Sequence, residues 1–144
     1  MTWPVLVQVA VPFLWCGAVL GISFLEAPLK FRAPGITVAL GVGIGRLVFR
    51  ALNALEVLLA LALTVAVLAA PTVPAIPLVL GGLWALLLWQ VLVVRRRLDR
   101  SAVEVVAGTG EPGSRWHLVY IGLEAVKVVA LPLLGASALA GALS

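Results

Sequence analysis

The run LVYIGLEAVKVVALPLLGASALAGAL, residues 118–143, is long and apolar enough to cross a bilayer, yet it carries Lys127 near its middle and Glu124 one helical turn before it. On insertion scales a Lys, Arg or Asp at a bilayer centre costs about 2.5–3.5 kcal/mol, so such groups face a bundle interior or a water-filled pocket. The run therefore predicts a spanning helix and, with it, neighbours that shelter two charges.

Working outward, apolar stretches of spanning length recur at 3–25, 51–70 and 74–94. The 144 residues are 63% hydrophobic and only 11% charged, with a mean hydropathy of +1.20; soluble domains carry roughly 25% charged residues. The expected fold is all-α, an integral membrane four-helix bundle in a single domain, residues 1–144. No Lys or Arg precedes Lys30, so the first apolar run lacks the basic start of a cleaved leader and is expected to remain. Cys16 is the sole cysteine, which excludes an internal disulfide, and one Cys, one His and one Met cannot close a metal site within one chain. No metal is expected, and no cofactor is assigned.

The net charge of +4 matters less than its placement. Lys30 and Arg32 lie between the first two spans, and Arg95, Arg96, Arg97, Arg100 and Arg115 between the last two, whereas the connection Pro71 to Pro74 carries no charge. The positive-inside rule then puts both basic connections in the cytoplasm and both termini on the extracytoplasmic side of the cell (inner) membrane. Arg95, Arg96 and Arg97 suit anionic lipid headgroups, and equally a plain solvated flank of the third span. A nucleic-acid partner is excluded, since there is no soluble basic surface with interleaved aromatics.

Local signals set the boundaries. Trp3 suits an outer interface, and Gly17 with Gly21 forms a small-xxx-small pair expected to pack closely. Glu26 to Gly35 holds two prolines and a glycine and reads as a cytoplasmic turn without helix, after which Gly35 or Thr37 opens the next element. Ile36 to Ala70 as one helix would be about 52 Å long, so 51–70 is the better span. Residues 36–50 then become a cytoplasmic-side extension or an interfacial segment, with an interruption or strong tilt expected near Gly41, Gly43 and Gly45. Those glycines follow no strand and precede no Lys-Ser/Thr, so close packing at Gly41 and Gly45 explains them better than a phosphate loop. The third helix is expected to run past its arginines to Gly108, Ser114 to cap the fourth, Trp116 and Tyr120 to sit at its interface, and Pro132 to bend it.

Two polar stripes carry the chemistry. His117, Tyr120, Glu124 and Lys127 recur at spacings of 3, 4 and 3, and Arg46, Arg50, Asn53 and Glu56 at 4, 3 and 3, so each set lines one helix face. Gln90 falls at a matching depth on the third helix, and Glu26 and Lys30 cover the cluster from the first connection. The outer halves hold only neutral polar residues such as Gln8, Thr64 and Ser137, which predicts a pocket open to the cytoplasm alone. Glu56 and Glu124 against Lys127 leave one negative charge in excess, so either Arg50 joins or one carboxyl carries a proton.

Buried polar pairs also serve as interhelical glue at about 0.6 kcal/mol each, the plainer reading for Asn53, Gln90 and Tyr120. Three charges at that depth would cost roughly 8–10 kcal/mol if unpaired, so at Glu56, Glu124 and Lys127 a function stands level with the glue reading. His117 reads as an interfacial polar residue, and Cys16 as a packing residue. Trp84 and Trp89 read as packing or interfacial aromatics.

The stretches Phe24 to Phe31, Gly45 to Glu56 and His117 to Lys127 resemble those of small bacterial four-helix membrane proteins, a resemblance that implies the fold and brings no activity. Two functions are expected: binding or transport of a proton or small polar solute through the polar residues of the pocket, or a non-catalytic accessory or assembly subunit of a larger membrane complex. Either implies a homo-oligomer or other membrane subunits as partners, besides the bilayer itself. Acid–base catalysis ranks below both, for want of a substrate geometry.

Overall fold

A computed structural model of the chain describes residues 1–70, 72–110 and 115–144. Among them are four helices long and apolar enough to cross a membrane: α1 (Trp3–Arg32), α2 (Val38–Ala69), α3 (Ala75–Val106) and α4 (Arg115–Leu143). Short connections make successive helices antiparallel. The C-terminal ends of α1 and α3 therefore meet the N-terminal ends of α2 and α4, and this end of the bundle gathers most of the basic residues. α1 packs along α2 and α4, and α3 closes the fourth side against the same two, so α1 and α3 face each other across the diagonal.

Where Glu26 to Gly35 was expected to be turn, α1 continues through Arg32. Pro28 has no N–H, and its ring would press on the carbonyl four residues back. A wide π turn over Leu20–Glu26, in which the Ala27 N–H reaches the Ile22 carbonyl, accommodates it. The connection shrinks to residues 33–37, where Gly35 has φ +78° and Thr37 caps α2 by accepting a hydrogen bond from the Leu40 N–H at 3.1 Å. α2 itself is unbroken from Val38 to Ala69, so the expected interruption near the three glycines is absent. Gly41 and Gly45 instead let α1 fold closely over α2, one lying under the Phe31 ring and the other under the Lys30 ammonium.

α3 runs past its arginines as expected and stops before Gly108, whose φ is +78°. It too contains a π turn, Gln90–Val94, with the Arg95 N–H bonded to the Gln90 carbonyl. α4 continues through Pro132. The expected cap at Ser114, the loop residues Glu111, Pro112 and Gly113, and Pro71 lie outside the described residues.

The apolar core fills the half of the bundle away from the basic end. Leu59, Leu63, Ile76, Leu80, Leu83, Leu131 and Leu134 pack there with Val19 and Ala60. Beyond this layer Gln8 Nε2 donates to the Ala66 carbonyl at 3.0 Å, and Trp84 Nε1 donates to Thr64 Oγ1 at 2.9 Å. Gly17 and Gly21 do not make the close contact expected of them, because a Cβ added at either would meet nothing within 4 Å. Gly17→Ala and Gly21→Ala should therefore leave stability unchanged or raised. Gly41→Ala, which must displace the Phe31 ring, should cost about 1–3 kcal/mol, with unfolding of the solubilised protein by dodecyl sulfate titration as the measurement.

Candidate functional site

Lys127 lies near the middle of α4 and is completely buried. An ammonium has three protons and no acceptor, so it needs three acceptors once water is removed. The bundle supplies them. Lys127 Nζ donates to Glu56 Oε2 of α2 at 2.5 Å and to Gln90 Oε1 of α3 at 2.7 Å, and pairs with Glu124 Oε1 of its own helix at 2.5 Å. Glu56, Gln90 and Glu124 are themselves fully buried.

Further donors tie the carboxyls down. Gln90 Nε2 donates to Glu124 Oε1 at 2.6 Å, and Ser23 Oγ of α1 donates to Glu124 Oε2 at 2.6 Å. Trp15 Nε1, also of α1, donates to Glu56 Oε2 at 2.7 Å. All four helices thus meet in one network, each contributing from close to its midpoint. The two carboxyls are not equivalent. Both oxygens of Glu124 accept hydrogen bonds, whereas Glu56 Oε1 is buried with no partner among the described residues.

One turn toward the basic end, Tyr120 OH donates to Asn53 Oδ1 at 3.1 Å, and Asn53 Nδ2 has no partner among the described residues. Tyr120 is therefore an internal residue and not the interface anchor its position suggested. Its ring meets Phe49 edge to face, the centroids 5.2 Å apart.

Next to the network lies a cavity of about 510 Å³, bounded by all four helices and reaching the polar cluster at Ser23 and Glu124. Lys30, Arg46, Arg95 and His117 line it together with Phe24, Phe31 and Phe49. Glu26 and Lys30, expected on a connecting loop, stand on the helical end of α1 as a 3.6 Å ion pair. Arg46 does not reach the carboxyl cluster and instead lies 3.5 Å from Asp99 Oδ1. Arg50 is exposed on a shallow groove between α2 and the end of α3, so it does not join the network. His117 is exposed at the cavity rim.

Four participants escaped the sequence reading. Trp15 and Ser23 look like ordinary interfacial or packing residues, because a neutral donor leaves no charge signal in an apolar run. The sequence groups Arg95 with Arg96 and Arg97, as a contact for anionic headgroups or a solvated flank of the helix. The π turn after Gln90 rotates it inward, where it is buried and donates to Asp99 Oδ1 at 2.9 Å. Arg96 and Arg97 stay exposed, Arg97 stacking over Trp116 at 5.4 Å. Asp99, a lone acid among arginines in the sequence, is the counter-ion of both Arg46 and Arg95.

Removing one partner of a buried ion pair typically costs about 3–5 kcal/mol, because the other charge is left unpaired. Lys127→Met should destabilise the folded bundle by that order, and adding Glu56→Gln and Glu124→Gln to it should recover more than half of the loss. Reversible unfolding of the single and triple variants in micelles measures both. Compared with known protein families, curated proteins and solved structures, the chain matches none.

Proposed function

We propose that the chain is a multi-pass membrane protein that binds a proton at the Glu56, Glu124 and Lys127 cluster, reached from the cytoplasmic side through the adjoining cavity, and uses it in binding or moving a small solute. The observation that carries this reading is Glu56 Oε1, without a hydrogen-bond partner among the described residues, beside a fully committed Lys127. Two carboxylates and one ammonium bear an excess negative charge, and Arg50 is turned outward and does not cancel it. A proton on Glu56 makes the cluster neutral. Both oxygens of Glu124 already accept hydrogen bonds, so Glu56 Oε1 is the carboxyl oxygen of the cluster left open to that proton among the described residues.

The location supports exchange and not a sealed structural pair. Glu124 faces the cavity, so a proton moving between bulk water and Glu56 passes one carboxylate and the ammonium that bridges the two. The positive-inside distribution of Lys30, Arg32 and the arginines of α3 puts the open end in the cytoplasm. The apolar layer on the far side offers no relay, so movement of solute across the membrane would take a rearrangement of the helices.

Infrared difference spectroscopy of the protein in lipid nanodiscs tests the reading. At neutral pH a protonated-carboxyl band is expected that Glu56→Gln abolishes; Glu124→Gln abolishes it too, because the one remaining carboxylate then balances Lys127, whereas Lys127→Met, which removes the balancing charge, keeps it. Absence of the band from the wild-type protein, with both carboxyls ionised, would overturn it.

A further inference from the structure

The cavity has an unusual balance of surfaces. Its walls are largely apolar, with Phe24, Phe31 and Phe49 the largest groups, yet three cationic side chains from three helices converge on it. Lys30 Nζ and the Arg95 guanidinium each lie 5.7 Å from the centroid of the Phe49 ring, which therefore holds both charges beside the same space.

None of the three cations is fully satisfied. Arg95 is only 9% exposed, and its Nε has no hydrogen-bond partner among the described residues. Arg46 Nε is likewise without one, since Asp99 Oδ1 at 3.5 Å lies outside hydrogen-bonding geometry. The Lys30 side chain is 10% exposed, and the Glu26 carboxylate stands 3.6 Å away, beyond hydrogen-bond length. Glu26 and Asp99 answer two of the three charges, and Glu124, which also borders the cavity, is already paired with Lys127, so one positive charge is left in excess. Buried N–H groups without acceptors are costly, so the site is short of one acceptor-bearing anion.

An inorganic anion alone would leave the aromatic walls facing water, and a neutral apolar molecule would leave the donors unpaired. We infer that the cavity binds a small amphipathic anion, its carboxylate or phosphate group held by Lys30, Arg46 and Arg95 and its apolar part lying among Phe24, Phe31 and Phe49. The volume of about 510 Å³ falls within the roughly 300–1,000 Å³ of small-molecule sites. This names the solute class for the cavity and rests on the reading of that cavity as the solute-binding side of the pocket. The cationic lip also fits either source of such an anion: a molecule dissolved in water or the headgroup end of a membrane lipid.

Isothermal titration of the full chain in phosphatidylcholine nanodiscs, with empty discs subtracted, tests it using decanoate, decyl phosphate, decanol and inorganic phosphate as probes. Saturable one-site binding of decanoate and decyl phosphate is expected, with decanol and inorganic phosphate weaker by about tenfold or more, the worth of one charge-assisted hydrogen bond. Arg95→Gln and Lys30→Met should each weaken decanoate by a similar factor and leave decanol unchanged, and the helical circular dichroism of each variant checks its fold. Ala102→Trp, which fills the cavity without touching a charge, should weaken both. Decanol binding as tightly as decanoate, or decanoate binding unaffected in both charge variants, would overturn the inference. Discs containing phosphatidylglycerol separate the sources: competition with decanoate assigns the site to a lipid headgroup, and its absence assigns it to a dissolved anion. Anion binding without the protonated-carboxyl band would leave this inference standing and remove the proton, and the band without anion binding would do the reverse.

Discussion

The burial of one ammonium group constrains this bundle more than any other interaction. Lys127 has its three protons committed to Glu56, Gln90 and Glu124, which stand on three helices, and the fourth helix reaches the same network through Trp15 and Ser23. In a membrane, leucines packed on leucines provide little discrimination between registers, because lipid tails are as apolar as the alternative contacts. A donor that must find three acceptors at hydrogen-bond length does discriminate. Sliding α2 against α4 by one residue would part Glu56 from Lys127 in an apolar interior, and sliding α1 or α3 would strip the same charges of their neutral hydrogen-bond partners, each at a cost larger than such packing returns. The polar network therefore sets the relative heights of α1 to α4, and the cavity beside it follows from those heights.

The two π turns belong to the same constraint. Each adds a residue to one turn of helix, which shifts the phase of everything that follows. In α1 the wide turn takes up Pro28 and keeps the helix going to Lys30, so that the lysine stands over Gly45 and Phe49. In α3 the wide turn starts at Gln90, a member of the network, and ends at Arg95, which faces the cavity. An ordinary α-helix advances about 100° per residue, so two residues five apart would point in clearly different directions. The π geometry lets one helix present Gln90 to the lysine and Arg95 to the cavity on the same side.

This phase shift also explains what the sequence made legible and what it hid. The four spans were readable from hydropathy, and the meeting of Glu56, Gln90, Glu124 and Lys127 from helical spacing, because α2, α3 up to Gln90 and α4 keep a regular period there. Past each π turn the regular period fails. Arg95 reads with Arg96 and Arg97 as a headgroup contact or solvated flank and lies inside, and the Glu26 to Gly35 segment reads as turn because Pro28 ordinarily ends a helix. Trp15 and Ser23 were hidden for a different reason. A hydrogen-bond donor without charge resembles any aromatic or small residue in an apolar run, and only the position of its partner reveals it. Gly17 and Gly21 show the converse, a motif with the right spacing and no neighbour to meet.

The bundle is built from two unlike halves, and the difference limits what the proton exchange proposed for the polar cluster could reach. On the basic side the helices are held apart by long cationic and aromatic side chains, and the space between them reaches Glu124. On the other side Leu59, Leu63, Leu83 and Leu131 meet directly, and the next polar contacts, Gln8 with the Ala66 carbonyl and Trp84 with Thr64, are each closed on themselves. A proton or ion leaving Glu56 in that direction would cross an apolar layer with no group to solvate it, which is the costliest environment a charge can enter. In this arrangement the cavity reaches the cluster from the basic end, and the leucine layer separates it from the other. Access from the other side would require separating the leucine layer while the Lys127 network stays intact, because breaking both at once would expose an unpaired charge to lipid. The network is thus the natural fixed point of any such motion, and the apolar half is the part free to open.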